Sequence, residues 1–248
     1  MQILLVDDDA FSRKLMGYYL KPMEATVDMA AGGQECLDKV AQARPDLILM
    51  DCQMPEMDGF ETVTRLRASG FTGVILALTG NSDPQTLQRC SEVGMNGHMS
   101  KPVDPANLRE KILEAMGAST PVAEAPPPPA PEVVVEDPLA RARAIATAAR
   151  NPALMGRLVA SFVKSTEDGL AQLGQAASQQ DGPAVAAVAH RLRGSSGTFG
   201  ATTFSQAAGN LEDSLQTQPL SQCLPLLEQL MGMWPTLKSQ LEISGGTP

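Results

Sequence analysis

Aromatic residues are scarce in this chain, at 4% of its 248 residues, and histidine occurs only twice. Base stacking on aromatic side chains is therefore poorly supported. Positive charge is also short, with 19 Lys and Arg against 28 Asp and Glu and a net charge of −9. Phosphate contacts dominate nucleic-acid affinity and need clustered cations, so no nucleic-acid partner is expected. The four cysteines, Cys36, Cys52, Cys90 and Cys223, lack CxxC spacing, which argues against a zinc site or a disulfide framework. No apolar run approaches the roughly 20 residues that span a bilayer. Met1 leads directly into an apolar strand and three aspartates, which is not a secretory signal. No membrane association is expected, and the cytoplasm is the expected compartment. A glycine-rich nucleotide loop is missing as well. Gly32-Gly33 and the run from Gly194 to Gly197 lack the flanking P-loop or kinase pattern.

What the chain has is two contrasting halves. Residues 1–117 carry 17 acidic against 11 basic side chains, while residues 137–248 balance 8 against 8. The first stretch alternates short apolar runs with helical patterns, which predicts βαβ units. Strands are expected at 2–6, 25–30, 47–50, 74–78 and 97–99. Helices are expected near 10–20, 33–43, 58–69, 84–94 and 105–116. Asp83-Pro84 and Asp104-Pro105 each place a cap residue before a first-turn proline. The expected fold is an α/β doubly wound sheet of five parallel strands.

Residues 118–136 contain Pro126-Pro127-Pro128-Pro129 and three glutamates without a base, which predicts an extended spacer. At about 3.1 Å per residue it would span on the order of 60 Å. Residues 137–245 then read as helical throughout. Leu154, Leu158 and Phe162 recur every four residues, widened by Val159, Val163, Leu170 and Leu173. Further helices are expected near 182–198, 201–217 and 220–243, with Pro225 near a helix start and Pro235 kinking the last one. An all-α helical bundle follows. No internal repeat is present.

The chemistry-bearing residues of the first half sit where apolar runs end. Asp7 and Asp8 close Ile3-Leu4-Leu5-Val6, Asp51 closes Leu47-Ile48-Leu49-Met50, and Thr79 closes Val74-Ile75-Leu76-Ala77-Leu78. Lys101 stands before Pro102. In a parallel sheet ligands gather beyond the carboxyl ends of the strands. Three carboxylates, a hydroxyl and an ammonium group would therefore meet at one edge. Such a set suits a divalent cation and a phosphoryl group. Asp9 reads as a helix cap, and Asp58-Gly59 as turn and helix-start chemistry.

Met50-Asp51-Cys52-Gln53-Met54-Pro55, with Val6-Asp7-Asp8, Thr79-Gly80 and Ser100-Lys101-Pro102, resembles the receiver domain of two-component response regulators. The resemblance implies a flavodoxin-like fold for residues 1–117, with Asp51 as the nucleophile that accepts a phosphoryl group. It implies Mg²⁺ held by Asp8, Asp51 and the backbone carbonyl of Gln53, with Asp7 acting through water. Lys101 and Thr79 would each engage a phosphoryl oxygen. Receivers usually have Tyr or Phe three residues before the lysine. Here His98 stands there, read as a half-buried substitute for the aromatic.

The second histidine lies in Ala189-His190-Arg191-Leu192-Arg193-Gly194-Ser195-Ser196. At 100° per residue, Val185, Val188, Ala189 and Leu192 share one face. His190 points about 150° away from it, so an exposed imidazole ringed by small residues is expected. This segment resembles histidine phosphotransfer (HPt) domains. The resemblance extends to Leu211-Glu212 and implies His190 as a second phosphoacceptor, with Arg193 in the usual lysine position steadying phosphoryl charge. The implied activity is that of a phosphorelay carrier without a kinase domain. Its implied partners are a sensor histidine kinase and a downstream response regulator receiver. The second reading is a phosphorylation-switched adaptor whose helical domain binds or inhibits a partner without relaying phosphate.

Overall fold

In the computed structural model, residues 1–80, 84–117, 139, 143 and 152–245 are described. The spacer over 118–136 and the cap residue Asp83 lie outside them. The first half forms β1 (Gln2–Val6), α1 (Ala10–Leu20), β2 (Thr26–Ala30), α2 (Gly33–Gln42), β3 (Leu47–Asp51), α3 (Gly59–Ala68), β4 (Val74–Thr79), α4 (Pro84–Glu92), β5 (Gly97–Ser100) and α5 (Pro105–Ala115). The sheet has five parallel strands in the order β2-β1-β3-β4-β5. Strand order reverses between β1 and β3, which opens a crevice at their carboxyl ends. Asp51 and Thr79 are the last residues of their strands rather than the first beyond them.

Buried strands in such a sheet are apolar on both faces. Ile3, Leu5, Leu47, Leu49, Leu76 and Leu78 face the side covered by α1 and α5. Leu4, Val6, Ile48, Met50, Ile75 and Ala77 face the side of α2 and α3. The helix starts are capped as their sequences predict. Asp9 accepts from the Ser12 amide at 2.7 Å, Asp58 from Glu61 at 2.7 Å, and Asp104 from Asn107 at 3.2 Å. A short 3₁₀ turn at Lys21–Met23 had no distinct sequence signal.

The second half is a bundle of α6 (Pro152–Ser178), α7 (Gly182–Phe199), α8 (Thr202–Leu215) and α9 (Leu220–Gly245). Helix α9 covers the segment expected near 220–243 and continues through both Pro225 and Pro235. Packing of its apolar residues, Leu227, Leu230, Trp234 and Leu241, outweighs the backbone bonds that proline removes. Leu154, Leu158, Phe162 and Leu173 are buried, as their spacing predicts.

The bundle rests on the sheet domain through α1. Phe11 of α1 makes edge contacts with Phe162 at 5.4 Å and Phe199 at 5.5 Å between ring centroids, so one apolar cluster runs from the sheet into the bundle. No described helix is long and apolar enough to cross a membrane.

Candidate functional site

At the carboxyl edge of the sheet, oxygens of Asp7, Asp8 and Asp51 lie within 4.8 Å of one another. Strand ends β1 and β3 bring them together, since Val6 pairs with Met50 across the ladder. Lys101 comes in from the end of β5, where its Nζ donates to Asp7 Oδ2 at 2.9 Å and Asp51 Oδ2 at 2.6 Å. The remaining Asp7 oxygen accepts from the Asp9 amide at 2.8 Å. The Gln53 amide donates to Asp51 Oδ1 at 3.2 Å. Thr79 is buried at the end of β4 and lines the same cleft. Gly59 packs so tightly that a Cβ there would collide with the Asp51 carbonyl oxygen, so only glycine lets the end of β3 and the start of α3 approach this closely.

Burial and mutual repulsion dominate the electrostatics. Burial, reinforced by the charges of Asp7 and Asp51, raises the Asp8 carboxyl to about 7 against the opposing pull of Arg191 and Lys101. Burial also raises Asp51, with Lys101 opposing. Burial alone would lower Lys101, but Asp51 and Asp7 outweigh it and its ammonium group is held charged. Three clustered carboxylates with one direct ammonium partner form an oxygen-rich site short of positive charge. That donor set fits a hard divalent cation.

The imidazole of the bundle is turned toward this site. His190 Nδ1 lies 2.8 Å from Glu212 Oε1 on α8. With Nδ1 as donor to that carboxylate, Nε2 keeps its lone pair. Burial raises the Glu212 carboxyl, but bonds from His190 and Arg193 more than offset it, so the net shift is downward. Arg193 Nη1 sits 3.2 Å from Glu212 Oε2 and 3.6 Å from Asp213 Oδ1. It is therefore drawn back onto α8.

Across the junction, a Cβ on Gly80 would lie 3.5 Å from His190 Cε1. His190 and Arg191 line one cleft of about 560 Å³ with Asp8, Gln53, Thr79 and Arg89. Two sequence expectations fail here. His190 is only 12% exposed, because the sheet domain covers the helix face that periodicity left bare. His98 is exposed rather than half-buried, because β5 is the edge strand of the sheet. No role followed from the residue order for Glu212, Arg191 or Ser165, although Leu211-Glu212 belongs to the HPt resemblance. Glu212 had a signal, an acid next to Leu211 on an apolar helix face. Arg191 and Ser165 had none, since they acquire roles only when the two domains meet.

A carboxylate cluster at the switch point of a flavodoxin-like sheet, faced by a bundle histidine, defines a phosphoacceptor protein of His–Asp signalling. The response regulator receiver domain family matches residues 3–113 and the Hpt domain family residues 157–242. This chain belongs to the two-component phosphorelay proteins, joining a receiver to an HPt domain. It is 38% identical over 126 residues to hybrid signal transduction histidine kinase B of Dictyostelium discoideum, covering 46% of this chain and 6% of that protein. It is 28% identical over 253 residues to the virulence sensor protein BvgS of Bordetella parapertussis, covering 97% of this chain and 20% of that one. The chain thus spans a small part of these relatives. The solved chemotaxis protein CheY4 of Vibrio cholerae aligns with a TM-score of 0.45 and 34% identity over 46% of this chain and 97% of its own.

Proposed function

We propose that Asp51 accepts a phosphoryl group and passes it to His190 of the same chain. The observation that carries this reading is the approach of the His190 ring to Gly80 in the cleft that also holds Asp8, Gln53 and Thr79. In the transfer, the Nε2 lone pair of His190 attacks phosphorus. A P–N bond forms as the P–O bond to Asp51 breaks, and Asp51 keeps the electron pair as a carboxylate. Positive charge left on the imidazole lies against Glu212. Lys101 and Thr79 would steady the phosphoryl oxygens, and Arg193 is positioned to support Glu212. Catalysis of this kind is positioning and charge stabilisation. The spacer keeps the domains at high effective concentration, on the order of millimolar for short linkers.

A sensor histidine kinase would supply the phosphoryl group and a further receiver would take it from His190. The hybrid kinase and BvgS relatives support that placement. Mg²⁺ would be held by Asp8, Asp51 and the Gln53 carbonyl, with Asp7 through water, and would neutralise phosphoryl and carboxylate charge. The chain itself acts as a phosphoryl carrier. The test uses the full chain labelled with a small-molecule phosphodonor. Label that becomes alkali-stable, as a phosphoramidate is, supports transfer; label that stays alkali-labile refutes it.

Glu212→Gln is expected to slow the transfer by roughly ten-fold or more, as loss of an imidazole's orienting partner does elsewhere. Rapid-quench measurement of label movement checks this. An unchanged rate would show that Glu212 serves the fold alone.

The raised Asp8 carboxyl sets a pH dependence. Its folded value of about 7 exceeds the ordinary 3.8, so between these the folded state holds a proton that the unfolded state has lost. Stability of the metal-free chain is therefore expected to fall as pH rises from about 4 to about 7. Mg²⁺ must displace that proton, so its affinity should drop by nearly ten-fold per pH unit below about 6. Thermal melts in EDTA and Mg²⁺ titrations between pH 5 and 8 read both slopes. Flat profiles would place the Asp8 carboxyl in its ordinary range.

A further inference from the structure

The fold brings one more cation to the aspartate cluster. Arg191 reaches across the junction, with its Nε 3.4 Å from Asp8 Oδ2. Its Nη2 donates to Gln172 Oε1 on α6, which holds the guanidinium plane. Next to it, Ser165 Oγ donates to Asp9 Oδ2 at 2.6 Å. Behind these contacts the rings of Phe11, Phe162 and Phe199 meet. The Asp8 side chain is 8% exposed and that of Arg191 21%, so the pair is poorly solvated.

We propose that the rim of the aspartate site and the start of α1 are a docking surface for this chain's own helical bundle. Arg191 is the positioning residue that seats it, standing in for a divalent cation at Asp8. This rests on the phosphorelay reading above and adds its regulation. Gathered carboxylates need positive charge, and Lys101 reaches only Asp7 and Asp51 among the three. Without a metal ion Arg191 serves Asp8. A divalent ion on Asp8 would face the guanidinium at close range between two poorly exposed side chains, where like charges repel strongly. Docking and metal binding therefore oppose each other, and linkage makes each weaken the other by the same factor. The metal-free chain stays closed over its own phosphoacceptors. Metal loading opens the receiver to a phosphodonor, and the negative charge of a phosphoryl group on Asp51 draws Arg191 back.

The experiment is a calorimetric Mg²⁺ titration of the full chain at low salt, beside X-ray scattering in EDTA and in Mg²⁺. Arg191→Gln is expected to bind Mg²⁺ at least about five-fold more tightly than wild type, the lower end of usual coupling. Arg191→Lys, which keeps the charge, should stay nearer wild type. Wild type should expand on adding Mg²⁺, and Arg191→Gln should lose that response. Equal Mg²⁺ affinity in all three proteins, or unchanged wild-type dimensions, would overturn the proposal. Phosphoryl transfer is scored separately. Failed transfer with intact metal coupling sinks the relay alone, and intact transfer without coupling sinks this device alone.

Discussion

Full-length chain carrying His190→Gln should accept label on Asp51 and never convert it to an alkali-stable form. Loss of the proposed nucleophile removes the only described imidazole in the cleft, and the expected drop in transfer is at least about 10³-fold. The amide of Gln can still donate to Glu212, so the bundle keeps its fold and the melting temperature should barely move. Asp51→Asn provides the converse. It should block labelling by the phosphodonor altogether, since the proposed acceptor is the carboxylate beside Lys101. Alkali-stable label appearing in Asp51→Asn would mean that His190 is phosphorylated directly. Alkali-stable label in His190→Gln would point to His98, the other histidine of the chain. The first result would overturn the proposed order, and the second would replace His190 as the acceptor.

Phe162→Ala should give the largest loss of stability. The ring is fully buried, stacked on Phe199 at 4.1 Å with 2° between planes, and meets Phe11 and Trp234 edge-on. Truncating a buried phenylalanine costs about 3–5 kcal/mol through lost burial and the cavity left behind. For a chain of this size that lowers the melting temperature by roughly 10 °C. The same substitution removes a ring that joins the bundle to α1, so transfer to His190 should slow as well. Denaturant melts followed by Trp234 fluorescence report the bundle directly. A loss below about 1 kcal/mol would show that the bundle repacks around the gap. Comparing the two variants separates chemistry from architecture: one should abolish transfer at unchanged stability, the other should reduce both.

Much of this arrangement is legible in the residue order. Apolar runs of strand length ending in Asp7, Asp8, Asp51 and Thr79 mark the parallel strands and the edge at which their polar ends collect. The 3.6-residue stripes of Leu154, Leu158 and Phe162 mark the bundle. Asp9, Asp58 and Asp104 mark helix starts, because a cap is a local device read from adjacent residues. Small boundary shifts are of the kind that fraying ends produce. The run of α9 through Pro235 follows the helix expected over 220–243, and packing of its apolar face sustains it across the proline.

Residue order alone settles which groups share each half of the site, because strand ends and helix faces are periodic properties of the chain. It placed three carboxylates with Lys101, and it put His190 on the face opposite Val185, Val188 and Leu192. That these two halves face each other emerges from the packing of the whole chain. The contacts that do so, Phe11 with Phe162 and Phe199, Ser165 with Asp9 and Arg191 with Asp8, join residues more than 150 positions apart. No local pattern encodes such a pairing. It arises because α1 and the bundle each leave an apolar patch that is buried at least expense of exposed surface against the other. The burial of His190 and the capture of Asp8 by Arg191 both follow from that one docking.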